Sequence, residues 1–280
     1  MDRRTFIGSV GALALTSRFN WAASQHQIEK VGVQLYTVRD DLQKDFEGTL
    51  AKVAKIGYKE VEFAKYFVDV SKLDPAPKRV REILDADGLA APATHVPYSA
   101  LAPENWSRVL DAAKVLGMGY VVNPSVDREV LKQPDGWKRA AETFNRAGEE
   151  SSKAGIQFAY HNHVEEFKAE NDKLPYDILL SESDPKFVKL EMDLGWAHKA
   201  GADILAYFKK YPGRFPLVHV KDFDKDGNMT EVGKGVVDWK GIFAKADVAG
   251  IKHYFVEHDE PKSPFDSIQI SYEYLKKLRF

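Results

Sequence analysis

Two histidines and a glutamate lie close together in the middle of the chain. The apolar segment 156–160 leads into His161 and His163, and Glu166 follows three residues later. If this segment is a β-strand, both histidines point to the same side of the sheet, because side chains alternate along a strand. Two histidines on one side, with a carboxylate nearby, are a common way to hold a divalent metal. The segment therefore predicts a metal site, and the alternative is a pair of surface histidines at a strand end.

The composition limits the class of protein. The chain has 280 residues, of which 44% are hydrophobic and 29% charged, as is typical of a globular protein with one large core. Its net charge of -2 gives no positive surface for a phosphate backbone, so we expect no nucleic-acid partner. Because the chain has no cysteine, disulfides and thiolate ligands are excluded, and any metal must be bound by histidine, carboxylate or water.

The N-terminal segment has the pattern of an export signal. Arg3 and Arg4 precede a short apolar run, and Ala22 and Ala23 provide small residues after it. The run is too short to span a bilayer comfortably. We therefore predict a Tat-type signal over residues 1–26, a mature domain over 27–280, a periplasmic location and no stable membrane insertion after signal removal. The alternative is the basic N-terminus of a cytoplasmic protein.

Apolar strands alternate with amphipathic helices along the rest of the chain. Strands are predicted over 31–36, 59–63, 90–96, 120–124, 156–161, 187–193, 215–220 and 253–257, and a stripe of apolar residues at helical spacing follows each one. Eight such units in about 250 residues are the size of a (β/α)8 TIM barrel. We predict a single-domain α/β barrel after the signal. An open doubly wound sheet is the alternative, although no G-x-G-x-x-G follows the first strand.

Ionisable side chains concentrate at the carboxyl ends of the predicted strands, where TIM barrels carry their active sites. Charged groups that converge there are costly to bury without a partner or a metal. The polar residues at these ends are Glu62, His95, Asn123, His161, His163, Glu191, Asp193, His219, Lys221, Glu257 and His258. Among them, Lys221 has the alternative of pairing only with its neighbour Asp222.

The segment after the signal resembles the sugar phosphate isomerase/epimerase family of xylose-isomerase-like TIM barrels. The resemblance rests on residues 32–40, 57–63, 160–167, 191–196, 219–222 and 256–257. In the epimerases of this family, residues on strands five to eight hold the metal, and the matching positions here are His161, Asp193, His219 and Glu257. The chain has His161 where the epimerases have a glutamate, so their shuttle between two glutamates is incomplete. Trp196 stands where many relatives have a histidine.

The resemblance implies an enzyme that removes the proton alpha to a carbonyl of a keto-sugar or polyol. It would use one divalent metal (Mn, Co, Mg, Ni or Zn) as a Lewis acid. Glu257 or His163 would accept the proton, and Lys221 would stabilise the enediolate or protonate a leaving oxygen. Reprotonation gives an isomerase or epimerase, whereas loss of a beta oxygen gives a lyase or dehydratase of the inosose or 3-keto-glycoside type.

The expected partner is a small carbohydrate. Glu62, His95 and Asn123 would position it, and Tyr36 and Trp196 would either stack against the sugar ring or pack in the core. A non-catalytic periplasmic sugar-binding protein is the rival from another class. The sequence leaves the oligomeric state open.

Overall fold

The computed structural model describes residues 26–64, 66–68, 72–170 and 172–280. Residues 1–25 of the predicted signal lie outside the described residues. Eight parallel strands form the central sheet: β1 (Gly32–Gln34), β2 (Glu60–Phe63), β3 (Ala90–Thr94), β4 (Tyr120–Asn123), β5 (Gln157–His161), β6 (Val188–Asp193), β7 (Leu217–Val220) and β10 (His253–Val256). Two short strands, β8 (Asp222–Phe223) and β9 (Met229–Thr230), pair as a separate antiparallel ribbon after β7.

The central sheet closes on itself. Its strand order is β3-β2-β1-β10-β7-β6-β5-β4. The two outer strands meet where His95 and Val122 form a parallel bridge, and the Val96 N–H donates to the Val122 carbonyl at 2.8 Å. The predicted (β/α)8 TIM barrel is therefore confirmed, and the open sheet is excluded.

Helices surround the barrel. They are α1 (Arg39–Lys44), α2 (Phe46–Ile56), α3 (Pro77–Asp87), α4 (Pro103–Leu116), α5 (Arg128–Leu131), α6 (Gly136–Lys153), α7 (Pro175–Glu182), α8 (Leu194–Lys199), α9 (Ile204–Lys210), α10 (Trp239–Phe243), α11 (Ala246–Ala249) and α12 (Pro264–Lys277). Among the described helices, none is both long and apolar enough to cross a membrane.

Helix α4 illustrates how the sequence defines these elements. Pro103 occupies the first turn, where its missing N–H costs no hydrogen bond. Trp106, Val109 and Ala113 recur at helical spacing and are fully buried against the barrel. Gly117 ends the helix with φ +73°, a left-handed conformation that favours glycine.

A small apolar cluster inside the barrel supports the polar residues at the strand ends. Ala93, Val122, Ala159, Leu217 and Phe255 form this cluster, and all five side chains are fully buried. The Phe255 ring lies 6.2 Å from the His219 ring, centroid to centroid. The polar residues therefore sit on a buried apolar base, where electrostatic interactions are strong and an unpaired charge is costly.

Candidate active site at the carboxyl ends of the strands

Strands β2, β3, β5, β6, β7 and β10 bring polar side chains into one buried cluster. The members are at most 7% exposed, and they are Glu62, His95, His161, Glu191, Asp193, His219, Lys221 and Glu257. Parallel strands place their carboxyl ends on one face of the barrel, so residues far apart in sequence become neighbours there. His219 and Glu62 are 157 residues apart, yet their side chains are hydrogen-bonded.

Three of the four residues predicted as metal ligands, Asp193, His219 and Glu257, place ligand atoms within 4.8 Å of one another, and His161 lies beside them. His161 Nε2 lies 3.9 Å from Asp193 Oδ2, and His219 Nδ1 lies 4.0 Å from the same oxygen. Glu257 Oε2 lies 2.9 Å from His219 Nδ1. The two longer separations exceed a hydrogen bond, but they suit atoms that each bind the same ion at about 2.0–2.2 Å.

The other nitrogen of each of these histidines faces a carboxylate. His161 Nδ1 lies 3.1 Å from Glu191 Oε2, and His219 Nε2 lies 2.7 Å from Glu62 Oε2. An imidazole that donates from one nitrogen presents the lone pair of the other, and such carboxylate–histidine pairs commonly orient metal ligands. The pairing therefore directs His161 Nε2 toward Asp193, while His219 Nδ1 faces Glu257 Oε2 at 2.9 Å and Asp193 Oδ2 at 4.0 Å.

Glu191 connects a second, overlapping group that could also hold a metal. His95, His161, His219 and Glu191 place their ligand atoms within 4.8 Å of one another. One oxygen, Glu191 Oε2, lies 2.7 Å from His95 Nε2 and 3.2 Å from His219 Nε2. These are hydrogen-bond distances, which fits an orienting role for Glu191. Sequence reasoning gave Glu191 no specific role, although its position two residues before Asp193 on one strand was a signal.

The charge of the cluster fits a divalent cation. Burial and the neighbouring Glu191 raise the pKa of Glu62 to about 7, and burial raises the pKa of Asp193 to about 6. Among the described residues, Glu62 Oε1 and Glu191 Oε1 are buried without a hydrogen-bond partner. Glu62 combines a raised pKa with an unused oxygen, and a bound cation stabilises such a carboxylate and displaces its proton.

An open cavity of about 510 Å³ adjoins the cluster. Its walls are Tyr36, Ala64, His95, Pro124, Ser125, His161, His163, Lys221, Glu257, Asp259 and Glu260. The three residues predicted to be catalytic, Glu257, His163 and Lys221, therefore face the same space. A small ligand in this cavity would meet both the proposed metal ligands and groups that transfer protons.

His163 reaches this cavity from a loop. Strand β5 ends at His161, so strand alternation does not position His163, yet the two rings lie 4.9 Å apart. Glu166 holds the loop, because it accepts hydrogen bonds from the His163 N–H at 2.8 Å and from the Tyr160 hydroxyl. Glu166 is thus an anchor of the turn and lies outside the metal group, contrary to the first interpretation of this segment.

The His163 ring is neutral and open to a ligand. Burial and the charge of Lys221 lower its pKa to about 4, so the ring is neutral at neutral pH. Its backbone N–H is bonded to Glu166, whereas no described residue hydrogen-bonds to its ring. The imidazole is therefore available to a ligand in the cavity.

Lys221 is a buried cation among carboxylates. Its Nζ lies 3.1 Å from Asp193 Oδ2 and 2.9 Å from both Glu257 Oε2 and Asp259 Oδ1. Burial alone would lower the pKa of Lys221, but these carboxylates outweigh burial and raise it above the ordinary value. The alternative that Lys221 pairs only with Asp222 is wrong, since Asp222 instead accepts bonds from the Gly233 N–H and the Trp239 indole.

Three of the five predicted substrate-binding residues lie outside the cavity, whereas Tyr36 and His95 line it. Glu62 is fully buried and bonded to His219. The Asn123 amide donates to the Val96 carbonyl at 3.0 Å, which helps to close the barrel. The Trp196 ring packs 5.0 Å from Lys221 Nζ, so it supports the lysine. Sequence reasoning missed Asp259, which lies two residues after Glu257 and binds Lys221.

Replacing Glu191 with glutamine should weaken metal binding by about 10- to 100-fold, the usual effect of losing a carboxylate that orients ligand histidines. The change preserves the shape of the side chain but removes the negative charge that faces His161 and His219. Isothermal titration with Mn²⁺ and Zn²⁺ measures the affinity. Glu60→Gln is the matched control, because Glu60 holds His253 at 2.8 Å at the opposite end of the barrel. Equal metal affinity in both variants would contradict the orienting role.

Comparison with known proteins agrees with the barrel fold. The model of the "Xylose isomerase-like TIM barrel" family matches residues 50–278. A crystal structure of a sugar phosphate isomerase/epimerase from Parabacteroides distasonis superposes with a TM-score of 0.78 at 30% identity, covering 88% of this chain and 93% of that one.

Curated relatives include several inosose dehydratases. The enzyme from Geobacillus thermodenitrificans is 28% identical over 179 residues, which is 58% of this chain and 58% of that protein. The enzyme from Clostridium beijerinckii is 23% identical over 274 residues, which is 85% of this chain and 91% of that protein. The match to the first relative thus spans little more than half of its length. From the family model and the Parabacteroides structure together, the chain belongs to the xylose isomerase-like TIM barrel family, and the predicted resemblance is confirmed.

Proposed function

We propose that the protein is a metal-dependent enzyme that removes the proton alpha to the carbonyl of a keto-sugar or oxidised polyol. The observation that carries the proposal is the cluster of Asp193, His219 and Glu257, with His161 3.9 Å from Asp193, beside a cavity lined by His163 and Lys221. The names of the relatives, which refer to inososes and sugar phosphates, support a substrate of this chemical class.

The proposed ligands are His161, Asp193, His219 and Glu257. A divalent cation bound there would polarise the substrate carbonyl and make the adjacent C–H more acidic. Burial alone would raise the pKa of Glu257, but Lys221 and His219 hold it well below its ordinary value. Glu257 Oε2 is already bonded to His219 and Lys221, so this carboxylate suits metal binding better than proton abstraction.

His163 is accordingly our choice for the base. Its neutral ring, which faces the cavity without a hydrogen-bond partner among the described residues, can take the alpha proton. The electron pair of the broken C–H bond then enters an enediolate. His163 and Lys221 line the same cavity, so the base and a charged acid act on one substrate.

Elimination is the outcome that this arrangement favours. Lys221 stays protonated and can give its proton to a beta oxygen as the C–O bond breaks, while the electron pair forms a C=C bond. The products are an unsaturated ketone and water or an alcohol. This reaction needs one base and one acid of different types, which His163 and Lys221 provide, and the dehydratase relatives support it.

Isomerisation or epimerisation is the second candidate. It begins with the same proton abstraction and ends with reprotonation of the enediolate at carbon. The Parabacteroides relative, named an isomerase/epimerase and 30% identical, favours this outcome.

The test is a reaction of keto-sugars and inososes in D₂O, followed by NMR and ultraviolet absorbance, with and without Mn²⁺, Co²⁺, Ni²⁺ or Zn²⁺. Metal-dependent exchange of the alpha proton together with an unsaturated ketone would establish elimination. Exchange with a changed sugar configuration would establish epimerisation. Metal-independent binding of sugars, with no exchange, would overturn the enzymatic proposal in favour of a sugar-binding protein.

A further inference from the structure

A second cavity lies beside the proposed catalytic cavity. It has a volume of about 480 Å³ and shares Ala64 with the catalytic cavity as a wall residue. We call it the annex, and its other wall residues are Leu35, Arg39, Leu42, Gln43, Phe46, Phe63, Tyr66, Asp74 and Pro75. The catalytic cavity is large enough for a sugar by itself, so the annex offers room for an additional group.

The two cavities differ in chemistry. Histidines, Lys221 and carboxylates line the catalytic cavity, and such groups match the hydroxyls of a sugar. The annex instead presents aromatic rings: Phe46 and Phe63 lie 6.2 Å apart in a stacked arrangement, and Tyr66 lies 5.4 Å from Phe63. The Tyr66 hydroxyl already donates to the Pro75 carbonyl, and Arg39 is bonded to the Tyr36 and Asp259 carbonyls. The other polar wall residues, Gln43 and Asp74, are exposed.

The wall between the cavities is held in place. Arg39 Nη1 donates to the Tyr36 carbonyl at 2.8 Å and to the Asp259 carbonyl at 2.7 Å. The guanidinium also lies 4.1 Å from the centre of the Tyr36 ring. Tyr36 and Asp259 line the catalytic cavity, whereas Arg39 lines the annex. These contacts keep the two spaces in a constant relation, so a ligand meets both without ordering the wall first.

We propose that the annex binds an aromatic group attached to the sugar, so that the substrate is an aryl glycoside rather than a free inosose or monosaccharide. The inference rests on the proposed function, because it assumes that the sugar occupies the adjoining cavity. An aromatic ring gains from burial against Phe46, Phe63 and Leu42 and can pair with the rings in offset or edge-on geometry. A second sugar would bury hydroxyls against these rings, where they have no hydrogen-bond partner.

The experiment compares the phenyl and methyl glycosides of one 3-keto-sugar, and a 3-keto-disaccharide, by kcat/KM in D₂O exchange. The wild type should prefer the phenyl glycoside over the methyl glycoside by about tenfold or more. Phe46→Ala, which removes a wall, and Gln43→Trp, which fills the annex from an exposed position, should both bring this ratio close to one. Phe265→Ala is the matched control, because Phe265 is a partly buried aromatic outside both cavities.

Different measurements test the annex and the proposed function. If none of the three keto-sugars exchanges its alpha proton, the proposed function fails. The annex is then tested by titration calorimetry with unoxidised phenyl and methyl glucosides, with the same expected order of affinity. Equal kcat/KM for the phenyl and methyl glycosides in the wild type, a preference for the disaccharide, or an unchanged ratio in Gln43→Trp would overturn the aromatic subsite.

Discussion

An Asp193→Ala variant should lose its metal and, with it, nearly all activity. Asp193 Oδ2 faces His161 Nε2, and it also lies near His219 Nδ1 and Lys221 Nζ, which Glu257 contacts as well. Loss of a carboxylate that merely orients a ligand weakens metal binding by about 10- to 100-fold, and loss of a ligand should cost more than about 100-fold. Elemental analysis and titration with Mn²⁺, Co²⁺ and Zn²⁺ measure the effect.

Asp193 also caps helix α8, so a control variant must separate the loss of the cap from the loss of the metal. Its Oδ1 accepts from the Trp196 N–H at 2.8 Å at the start of α8, so the variant should lose about 1 kcal/mol of stability as well. Asp203→Ala loses the equivalent cap of α9, where Asp203 accepts from the Ala206 N–H at 2.9 Å. Both variants should lose the stability that the helix cap provides, and only Asp193→Ala should also lose the Lys221 contact and the metal. Full metal content and activity in Asp193→Ala would refute the ligand assignment.

His163→Ala should retain the metal yet exchange the alpha proton about 10²- to 10⁴-fold more slowly, the usual contribution of a general base. The ring is not among the proposed ligands, and it lines the cavity. Added imidazole should restore part of the exchange rate, because the deletion leaves a space for it. Exchange measured by NMR in D₂O, with metal content determined on the same sample, separates catalysis from metal binding.

The pH dependence gives an independent test of His163. A base acts in its neutral form, so its contribution is lost as the pH falls through the pKa, which burial and Lys221 lower to about 4. The rate assigned to His163 should therefore persist well below the ordinary histidine pKa. His253→Ala, which alters a histidine at the opposite end of the barrel, should leave the exchange rate unchanged. Normal exchange in His163→Ala would move the role of base to Glu257.

The barrel and the location of the site could be predicted from local pattern. Eight alternations of apolar strand and amphipathic helix imply parallel strands, and parallel strands place all their carboxyl ends on one face. Residues such as Glu62, His219 and Glu257 could therefore be assigned to one face without knowledge of their contacts. Strand length was less predictable: the first strand, expected over 31–36, ends at Gln34 because Leu35–Val38 form a 3-10 turn.

The individual roles within the site depended on contacts that local pattern does not encode. Glu191 and Asp193 lie two residues apart on one strand, yet one faces three imidazoles and the other faces Lys221. Likewise, Lys221 points to the cavity while the adjacent Asp222 holds the following loop.

The sequence by itself determined the fold, the face of the barrel that carries the polar residues, and the chemical types available there. Only the tertiary structure decided which nitrogen of His161 and His219 faces Asp193, that Glu62, Asn123 and Trp196 lie outside the cavity, and that an aromatic annex adjoins it. The physical reason is distance along the chain. Periodicity reports the local backbone, whereas partners on other strands set the orientation of a buried side chain. Glu62, for example, orients His219, which lies 157 residues later in the chain.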